Sequence, residues 1–341
     1  MNILVTGGLG YIGSHVCLLL LEQGHNVFVI DSLINSSINV VNIINKLSNN
    51  KVNFYKGDIK NSEDIDSIFN IAKSENKSIE VVFHFAGLKS VKESAFNPFS
   101  YWENNVLATY KLLKIMKKYN CKKIVFSSSA TVYGENYNSP ISEDVIPRPI
   151  NVYGLTKLSV ENLLFSIYSN IRENWHITIL RYFNPAGNHF SGKIGENPRS
   201  IATNLFPLIC RVASGNITKL VIYGDDWNTI DGTGVRDYIH VMDLAEGHIK
   251  ALDYSNKKEK SFLVLNLGTG KGTSVFELIN TFERVNNLTL NYEIGSRRIG
   301  DVAEYYADCK KAKEVIGWSA KRSLDDICKD GWKWQHENRN R

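Results

Sequence analysis

Thr6-Gly7-Gly8-Leu9-Gly10-Tyr11-Ile12-Gly13 joins a short apolar run, residues 2–6, to a helical pattern carrying Val16, Leu19 and Leu20. That pattern stops at Gly24, and a second apolar run, 26–30, ends at Asp31. Strand, glycine turn, helix, strand and acid within about 30 residues is the unit that holds a dinucleotide. Glycines let backbone N–H groups close on a pyrophosphate, and the helix N-terminus attracts its charge. Asp31 lies 18 positions beyond Gly13, close to the ~20 expected of a carboxylate that hydrogen-bonds a ribose diol. Such a carboxylate repels a 2′-phosphate, and Ser32-Leu33-Ile34-Asn35-Ser36 holds no arginine to offset it. The turn therefore predicts NAD rather than NADP, held through Gly7, Gly10, Gly13 and Asp31.

The alternation continues outward. Residues 52–55 read as a strand leading to Gly57-Asp58-Ile59, 64–73 as a helix, and 81–85 as a strand running into Ala86-Gly87. A long helical pattern spans Pro98 to Tyr119, with the proline at a tolerated first-turn position. A strand over 123–127, the stretch Ser128 to Gly134, a helix over 151–170 and a strand over 177–182 follow. Six strands alternating with helices predict a parallel, doubly wound α/β sheet of Rossmann-like type, with ligands at the strands' carboxyl ends. The glycine turn, Asp31, Asp58, Phe85-Ala86-Gly87 and Ser127-Ser128-Ser129 all fall at such ends. After Asn184-Pro185 the rhythm changes: 186–200 reads as loop, 204–213 as helix, 220–223 as strand and 224–236 as loop. A helix over 240–252 and a strand over 262–267 are expected to pack back on the first sheet. The expected organisation is an NAD-binding domain over 1–185, with return segments about 237–268, interleaved with a smaller mixed α/β domain over 186–341. Further helices are expected at 274–285, from an Asp308 cap to Gly317, and after a Ser323/Asp326 capping box.

Composition narrows the class. The 341 residues are 43% hydrophobic and 22% charged, which suits a folded chain with a sizeable core. The net charge of +5 is small, and the lysine doublets at 117–118, 122–123 and 257–258 fall at expected helix ends and loops. No nucleic-acid partner is expected from such a distribution. Five scattered cysteines form no Cys-x-x-Cys pair, so neither a metal site nor a disulfide framework is expected, and a reducing compartment fits. The longest apolar run, Val16 to Leu21, is too short for a bilayer, and the chain opens on a strand-like segment without a targeting signal. A cytoplasmic protein without membrane association is the expectation.

Asn151-Val152-Tyr153-Gly154-Leu155-Thr156-Lys157 is the candidate chemical centre. On a helix, Tyr153 and Lys157 share a face, and an ammonium beside a phenol favours the phenolate. A free tyrosine titrates near ~10 and a base for neutral pH belongs near ~7, so the site must supply about 4 kcal/mol of differential stabilisation. The spacing alone means little and is more often an exposed i,i+4 pair. It acquires meaning from the glycine turn and from the serines after the 123–127 strand.

Five blocks occur in order: Thr6 to His15, His84-Phe85-Ala86-Gly87-Leu88-Lys89, Phe126 to Gly134, Arg181-Tyr182-Phe183-Asn184-Pro185, and Gly232 to Val241. With them the chain resembles the extended short-chain dehydrogenase/reductase family, and within it the UDP-glucose 4-epimerases, from residue 1 to about 336. The resemblance implies an isomerase of galactose metabolism that interconverts UDP-galactose and UDP-glucose on tightly held NAD. The route it implies is transient oxidation at sugar C4, a 4-keto intermediate and hydride return to the opposite face. It implies Tyr153 as the base, Lys157 as the group that lowers the phenol pKa and binds the nicotinamide ribose, and Ser129 as a partner of the sugar 4-oxygen. To the cofactor site it adds Tyr11, Ile12, Asn35, Ser36, Asp58, Ile59, Phe85, Ala86, Gly87, Lys89, Asn104, Ser127 and Phe183. For the nucleotide sugar it implies Lys89, Ser129, Ala130, Thr131, Tyr153, Asn184, Asn204, Leu205, Tyr223, Arg236, Arg298, Asp301 and Tyr305. Arg236 and Arg298 suit the diphosphate, since a guanidinium binds phosphate oxygens bidentately; Arg298 with Asp301 would otherwise read as a surface ion pair. Tyr305 matches the position lining the sugar's 2-substituent, where its bulk should crowd an N-acetyl group. The resemblance also implies a homodimer, with helices 98–119 and 151–170 pairing with their copies as a four-helix bundle.

His84 and His240 match no acid–base role in the family and read as structural. Val152 stands where relatives often carry proline, and Asn151 replaces a serine but is itself a good N-cap. Two rivals share the scaffold. A nucleotide-sugar 4,6-dehydratase would resemble relatives with Thr-Asp-Glu where this chain has Ser129-Ala130-Thr131. A non-catalytic dinucleotide-binding regulator would typically lack the Tyr/Lys pair.

Overall fold

The computed structural model describes residues 1–135, 138–170, 173–197, 204–298 and 300–338. Residues 198–200 of the predicted 186–200 loop, and 339–341 of the predicted second domain, lie outside the described residues. The chain forms two compact units, one of residues 1–134, 146–181 and 245–265, the other of 135–145, 182–244 and 266–341.

In the first unit, β1 (Asn2–Thr6), α1 (Tyr11–Glu22), β2 (Asn26–Asp31), α2 (Asn39–Ser48) and β3 (Asn53–Lys56) come first. Next are α3 (Ser62–Ser74), β4 (Val81–His84), α4 (Val91–Phe96), α5 (Pro98–Tyr101), a π-turn (Trp102–Leu107) and α6 (Ala108–Lys118). After β5 (Lys123–Ser129), a 3₁₀ turn (Ala130–Val132) precedes α7 (Val152–Asn170) and β6 (His176–Tyr182). The second unit then carries β7 (Asn184–Ala186), α8 (Leu205–Ala213), β8 (Leu220–Tyr223), β9 (Val235–Arg236) and β10 (Tyr238–His240). Along α9 (Val241–Asn256) the chain re-enters the first unit, where β11 (Ser261–Leu267) joins the sheet. The remainder is β12 (Thr273–Ser274), α10 (Val275–Asn286), β13 (Tyr292–Gly295), β14 (Glu304–Tyr305), α11 (Lys310–Ile316) and α12 (Leu324–Glu337).

The seven-stranded sheet runs β11-β6-β5-β4-β1-β2-β3, so the expected return of 262–267 to the first sheet is borne out. Parallel pairing puts Ile3 opposite Val27 and Val81, and Val82 opposite Ile124. Strand order reverses between β1 and β4, the switch point at which doubly wound sheets bind ligands. Both faces of the sheet are covered, and the strands are accordingly near-continuous apolar runs. Leu4, Phe28, Val82, Ile124 and Ile177 pack with Ile68 and Phe69 of α3, Leu112 and Met116 of α6, and Val160 and Leu164 of α7.

The predicted helix 98–119 is the largest departure. It is broken into α5, the π-turn and α6, because six residues adopt wider backbone bonding where Asn105 turns inward. Residues 39–48, rich in Asn and Ile, form α2. The Ser323/Asp326 capping box is present, and Asp308 Oδ1 accepts from the Lys310 N–H at the start of α11 (2.9 Å).

The second unit has its own core, in which Phe206, Ile209, Ile222, Tyr238, Leu278, Phe282 and Ile327 pack together. Its sheets are small: β10 pairs β7 and β13 pairs β8 in parallel, while β9 lies between β12 and β14. Among the described residues, no helix is long and apolar enough to cross a membrane.

Candidate active site

The glycine turn is packed as tightly as its composition suggests. Gly7 has φ +67°, and a Cβ there would lie 2.8 Å from Ala86 N; a Cβ on Gly13 would lie 2.4 Å from the Gly7 carbonyl oxygen. No side chain caps α1, whose first turn therefore presents N–H groups and a positive dipole end. The buried Asp31 carboxylate is held by the Leu9 N–H (3.0 Å), the Leu33 N–H (2.9 Å) and Ser36 Oγ (2.7 Å). Ala86 N–H donates to the Thr6 carbonyl (3.1 Å), which closes the end of β4 on the end of β1. At the end of β3, Asp58 N–H donates to Asp64 Oδ2 (2.8 Å) and Asp58 Oδ1 accepts from Lys60 N–H (2.9 Å), with Ile59 buried beside them. A side-chain-free cradle, an uncapped helix start and a fixed carboxylate at the next strand end fit an adenine dinucleotide. Tyr11 packs edge-on against His15, Asn35 is exposed, and Lys89 is exposed beyond Gly87.

Tyr153 and Lys157 occupy the first two turns of α7. Asn151 Oδ1 accepts from the Gly154 N–H (2.8 Å), the cap expected of it, and Tyr153 N–H donates to Ser94 Oγ (3.2 Å). A Cβ on Gly154 would sit 2.7 Å from the Thr131 carbonyl, so only glycine lets the helix start approach the turn after Ser129 so closely. Ser129 is hydrogen-bonded to Tyr153 and accepts from the Thr131 N–H (3.2 Å). Lys157 Nζ donates to the Ser127 carbonyl (2.7 Å), 4.9 Å from the Phe126 ring centroid and 5.8 Å from that of Tyr153.

Burial dominates the electrostatics of the pair. Burial pushes the Tyr153 phenol up to about 12, against the opposing hydrogen bond from Ser129. Burial also pushes Lys157 down to about 8, against the attraction of Glu161. Burial thus outweighs the Ser129 hydrogen bond at the phenol and the Glu161 charge at the ammonium.

Both histidines are buried. Thr109 gives its hydroxyl proton to the Asn105 carbonyl (2.6 Å), so it accepts from His84 Nε2 (2.8 Å), while His84 Nδ1 accepts from Thr6 Oγ1 (2.7 Å). That buried neutral ring is pushed down to about 3 by burial and then by Lys157. His240 is fully buried and its Nδ1 accepts from the Met242 N–H (3.1 Å).

Sequence reasoning missed Asn105. In the π-turn, Asn104 Nδ2 donates to the Ser100 carbonyl (2.8 Å), while Asn105 turns inward. Asn105 Oδ1 accepts from Leu88 N–H (2.8 Å), and its Nδ2 donates to the Leu88 carbonyl (3.0 Å) and to Thr156 Oγ1 (3.1 Å). Thr156 passes its proton to the Tyr153 carbonyl (2.7 Å). The Gly87–Lys89 loop is thus tied to the tyrosine turn. A polar residue among the buried positions of a long helix was the available signal.

In the second unit, the Phe183 and Tyr305 ring centroids lie 5.7 Å apart, and Asn184 N–H donates to the Asp237 carbonyl (3.0 Å). Asn204 is exposed at the start of α8, ahead of Leu205. Arg236 Nη1 donates to the Val235 (2.8 Å) and Val302 (2.9 Å) carbonyls, and its Nη2 lies 3.5 Å from Asp301 Oδ1. The Arg298 guanidinium covers the Tyr223 ring, 3.7 Å from its centroid. The ion pair is therefore Arg236–Asp301 rather than Arg298–Asp301. Pairing of Tyr305 with Arg236 across β14 and β9 brings the 301 turn alongside Arg236.

A family model described as GDP-mannose 4,6 dehydratase matches residues 4–331. The chain is 48% identical to UDP-glucose 4-epimerase of Bacillus subtilis (strain 168) over 340 residues, covering 100% of this chain and 98% of that protein. It is also 48% identical to the enzyme of that name from Yersinia enterocolitica, covering 100% and 99%. Among solved structures it is similar to UDP-glucose-4-epimerase from Stenotrophomonas maltophila with bound NAD and formylated UDP-arabinopyranose: TM-score 0.95, 43% identity, 99% and 98% coverage. UDP-glucose 4-epimerase from Bifidobacterium longum in complex with NAD+ and UDP gives a TM-score of 0.93 at 43% identity, with 100% and 99% coverage.

Proposed function

The chain belongs to the UDP-glucose 4-epimerase family, and on that premise we propose how its residues interconvert UDP-galactose and UDP-glucose. It is an NAD-dependent isomerase. NAD, when bound, would supply a reversible hydride acceptor for sugar C4, and the 4-keto sugar would be reduced again from its opposite face. Tyr153 accepts the O4 proton as the C4–O double bond forms and gives it back when the hydride returns, so nothing is oxidised overall. Ser129 shares a hydrogen bond with the same oxygen. Lys157 holds the phenolate by its charge. Because burial pushes the Tyr153 phenol up to about 12, positive charge that enters the pocket favours release of its proton. That dependence couples proton transfer to cofactor occupancy.

The first unit serves as the cofactor domain: the glycine turn and α1 take the pyrophosphate, Asp31 the adenosine ribose, and Asp58, Ile59 and Phe85 to Lys89 line the remainder. The second serves the nucleotide sugar, with Arg236 and Arg298 on the diphosphate and Asp301 on a ribose hydroxyl. Asn184, Asn204, Leu205, Tyr223 and Tyr305 complete it. A homodimer is supported by apolar side chains left exposed on the two long helical segments, Phe99, Leu107 and Tyr110 on one and Leu155 and Phe165 on the other. Five free cysteines suit the reducing cytoplasm.

The observation that carries the assignment is the meeting of Tyr153, Ser129 and Lys157 at the carboxyl end of β5, in the unit that holds the glycine turn. Purified protein is expected to convert UDP-galactose to UDP-glucose with no net NADH. Stoichiometric NADH release would make it a dehydrogenase, and loss of water from the sugar would make it a dehydratase.

A further inference from the structure

Behind Tyr153 and Lys157 lies a buried charge network that the reaction as described does not use. Glu161, one helical turn beyond Lys157, is 5% exposed. Its carboxylate accepts from Ser128 Oγ, from Arg181 Nε (3.1 Å) and from Arg181 Nη2 (2.6 Å). The Arg181 guanidinium in turn lies 4.8 Å from the centroid of the buried Tyr133 ring. Three successive residues of β5 thus engage three residues of α7: the Ser127 carbonyl takes Lys157, the Ser128 hydroxyl gives to Glu161, and the Ser129 hydroxyl meets Tyr153.

A buried ion pair adds little net stability, because the cost of desolvating both groups offsets their attraction. Tying β5, β6 and α7 together could be done by neutral groups. A carboxylate does one thing that a neutral group cannot: it places negative charge beside Lys157. Burial works against the ammonium, and Glu161 is the group that opposes burial. The charged and titratable groups around Lys157 are Tyr153 and Glu161 on its own helix, neutral His84 on β4, and Arg181 on β6 behind Glu161. β5 offers the Phe126 ring and a carbonyl.

We propose that Glu161, fixed by Arg181 and Ser128, is a positioning residue that keeps Lys157 in its ammonium form and so sets the upper pH limit of proton transfer at Tyr153. The proposal rests on the roles of Tyr153 and Lys157 given above. It is tested on Lys157 directly, by NMR titration of isotopically labelled lysine in cofactor-free protein, with the resonance assigned through Lys157→Arg. The pH profile of kcat is measured alongside. In Glu161→Gln the midpoint and the alkaline limb of kcat both fall by about one pH unit, a roughly ten-fold change in the protonation ratio. That variant leaves Arg181 buried without its anion and can lose its fold. Glu161→Gln/Arg181→Met removes both charges, and there the midpoint still falls, by roughly half a unit or more. A folded double variant with an unmoved midpoint and limb overturns the proposal. Tyr153→Phe separates the two readings. Full turnover in it overturns the Tyr153 role itself, whereas lost turnover in it together with an unmoved Lys157 midpoint in the double variant overturns the Glu161 role alone.

Discussion

The two units treat their functional side chains differently. In the first, Asp31, Tyr153, Lys157, Glu161 and Arg181 are buried, and their hydrogen bonds are made before any ligand arrives. In the second, Tyr223 is 37% exposed and the Asp301 side chain likewise 37%, and the arginines rest on a ring face and a 3.5 Å ion pair. A cofactor that stays bound through every turnover rewards a rigid cradle, since the ordering is done once, at folding. A substrate that exchanges each cycle needs groups that can change partners. Arg298 can leave the Tyr223 face for a phosphate at small cost, because an exposed cation–π contact is worth only about 0.5–1 kcal/mol.

Breaking the rigid side should cost most. Tyr153→Phe is expected to lower kcat by roughly 10³-fold or more, with KM and the circular dichroism spectrum nearly unchanged. Residual activity above a tenth of wild type would move the base elsewhere. Gly13→Ala comes next. Its Cβ would lie 2.4 Å from the Gly7 carbonyl, and the strain should weaken cofactor binding about ten- to hundred-fold, read as NAD retained through gel filtration. Full retention would mean that the turn yields, and the contrast between the units would lose its rigid half. On the adjustable side, Arg298→Ala should raise KM about ten-fold or more and leave kcat close to wild type. An equal fall in kcat would show that this arginine acts in the transition state. Tyr305 carries a smaller effect: UDP-N-acetylglucosamine should be a poor substrate, and Tyr305→Ser should improve its kcat/KM by roughly ten-fold. Comparable wild-type rates on both sugars would remove the steric argument.

The same contrast explains what was legible beforehand. The strands of the large sheet announce themselves as apolar runs bounded by turn residues, and the glycine turn by its glycines between a strand and a helix, with an acid 18 positions on. Arg181 and Glu161 were not legible as a pair, because 20 residues separate them and only the pairing of β6 with β5 brings the strand beside α7. The π-turn escaped for a local reason: a 3.6-residue period runs on smoothly through Trp102–Leu107, and a widened turn leaves no mark in it. β9, β12 and β14 are two residues long, too short for any alternation to show, so the Arg236–Asp301 contact that they create left no signal, and the alternative surface pair was read as Arg298–Asp301.

His84 gives the smallest effect and the most direct view of the rigid unit. It is neutral in the folded state and pushed down to about 3, whereas an unfolded histidine titrates near ~6.5. Below that value the unfolded chain binds a proton that the folded one refuses. The stability linked to His84 is therefore complete above about pH 6.5 and is lost as pH falls toward its folded pKa, by about 1.4 kcal/mol per unit. Glutamine can reproduce both bonds, its amide donating to Thr109 and its carbonyl accepting from Thr6, without titrating. His84→Gln should leave kcat near neutral pH almost unaltered and flatten the acid side of the stability curve, measured by urea denaturation at pH 7 and 5. Parallel pH dependences in the two proteins would mean that the cavity admits the proton, and that the cradle beneath the cofactor turn is softer than its hydrogen bonds suggest.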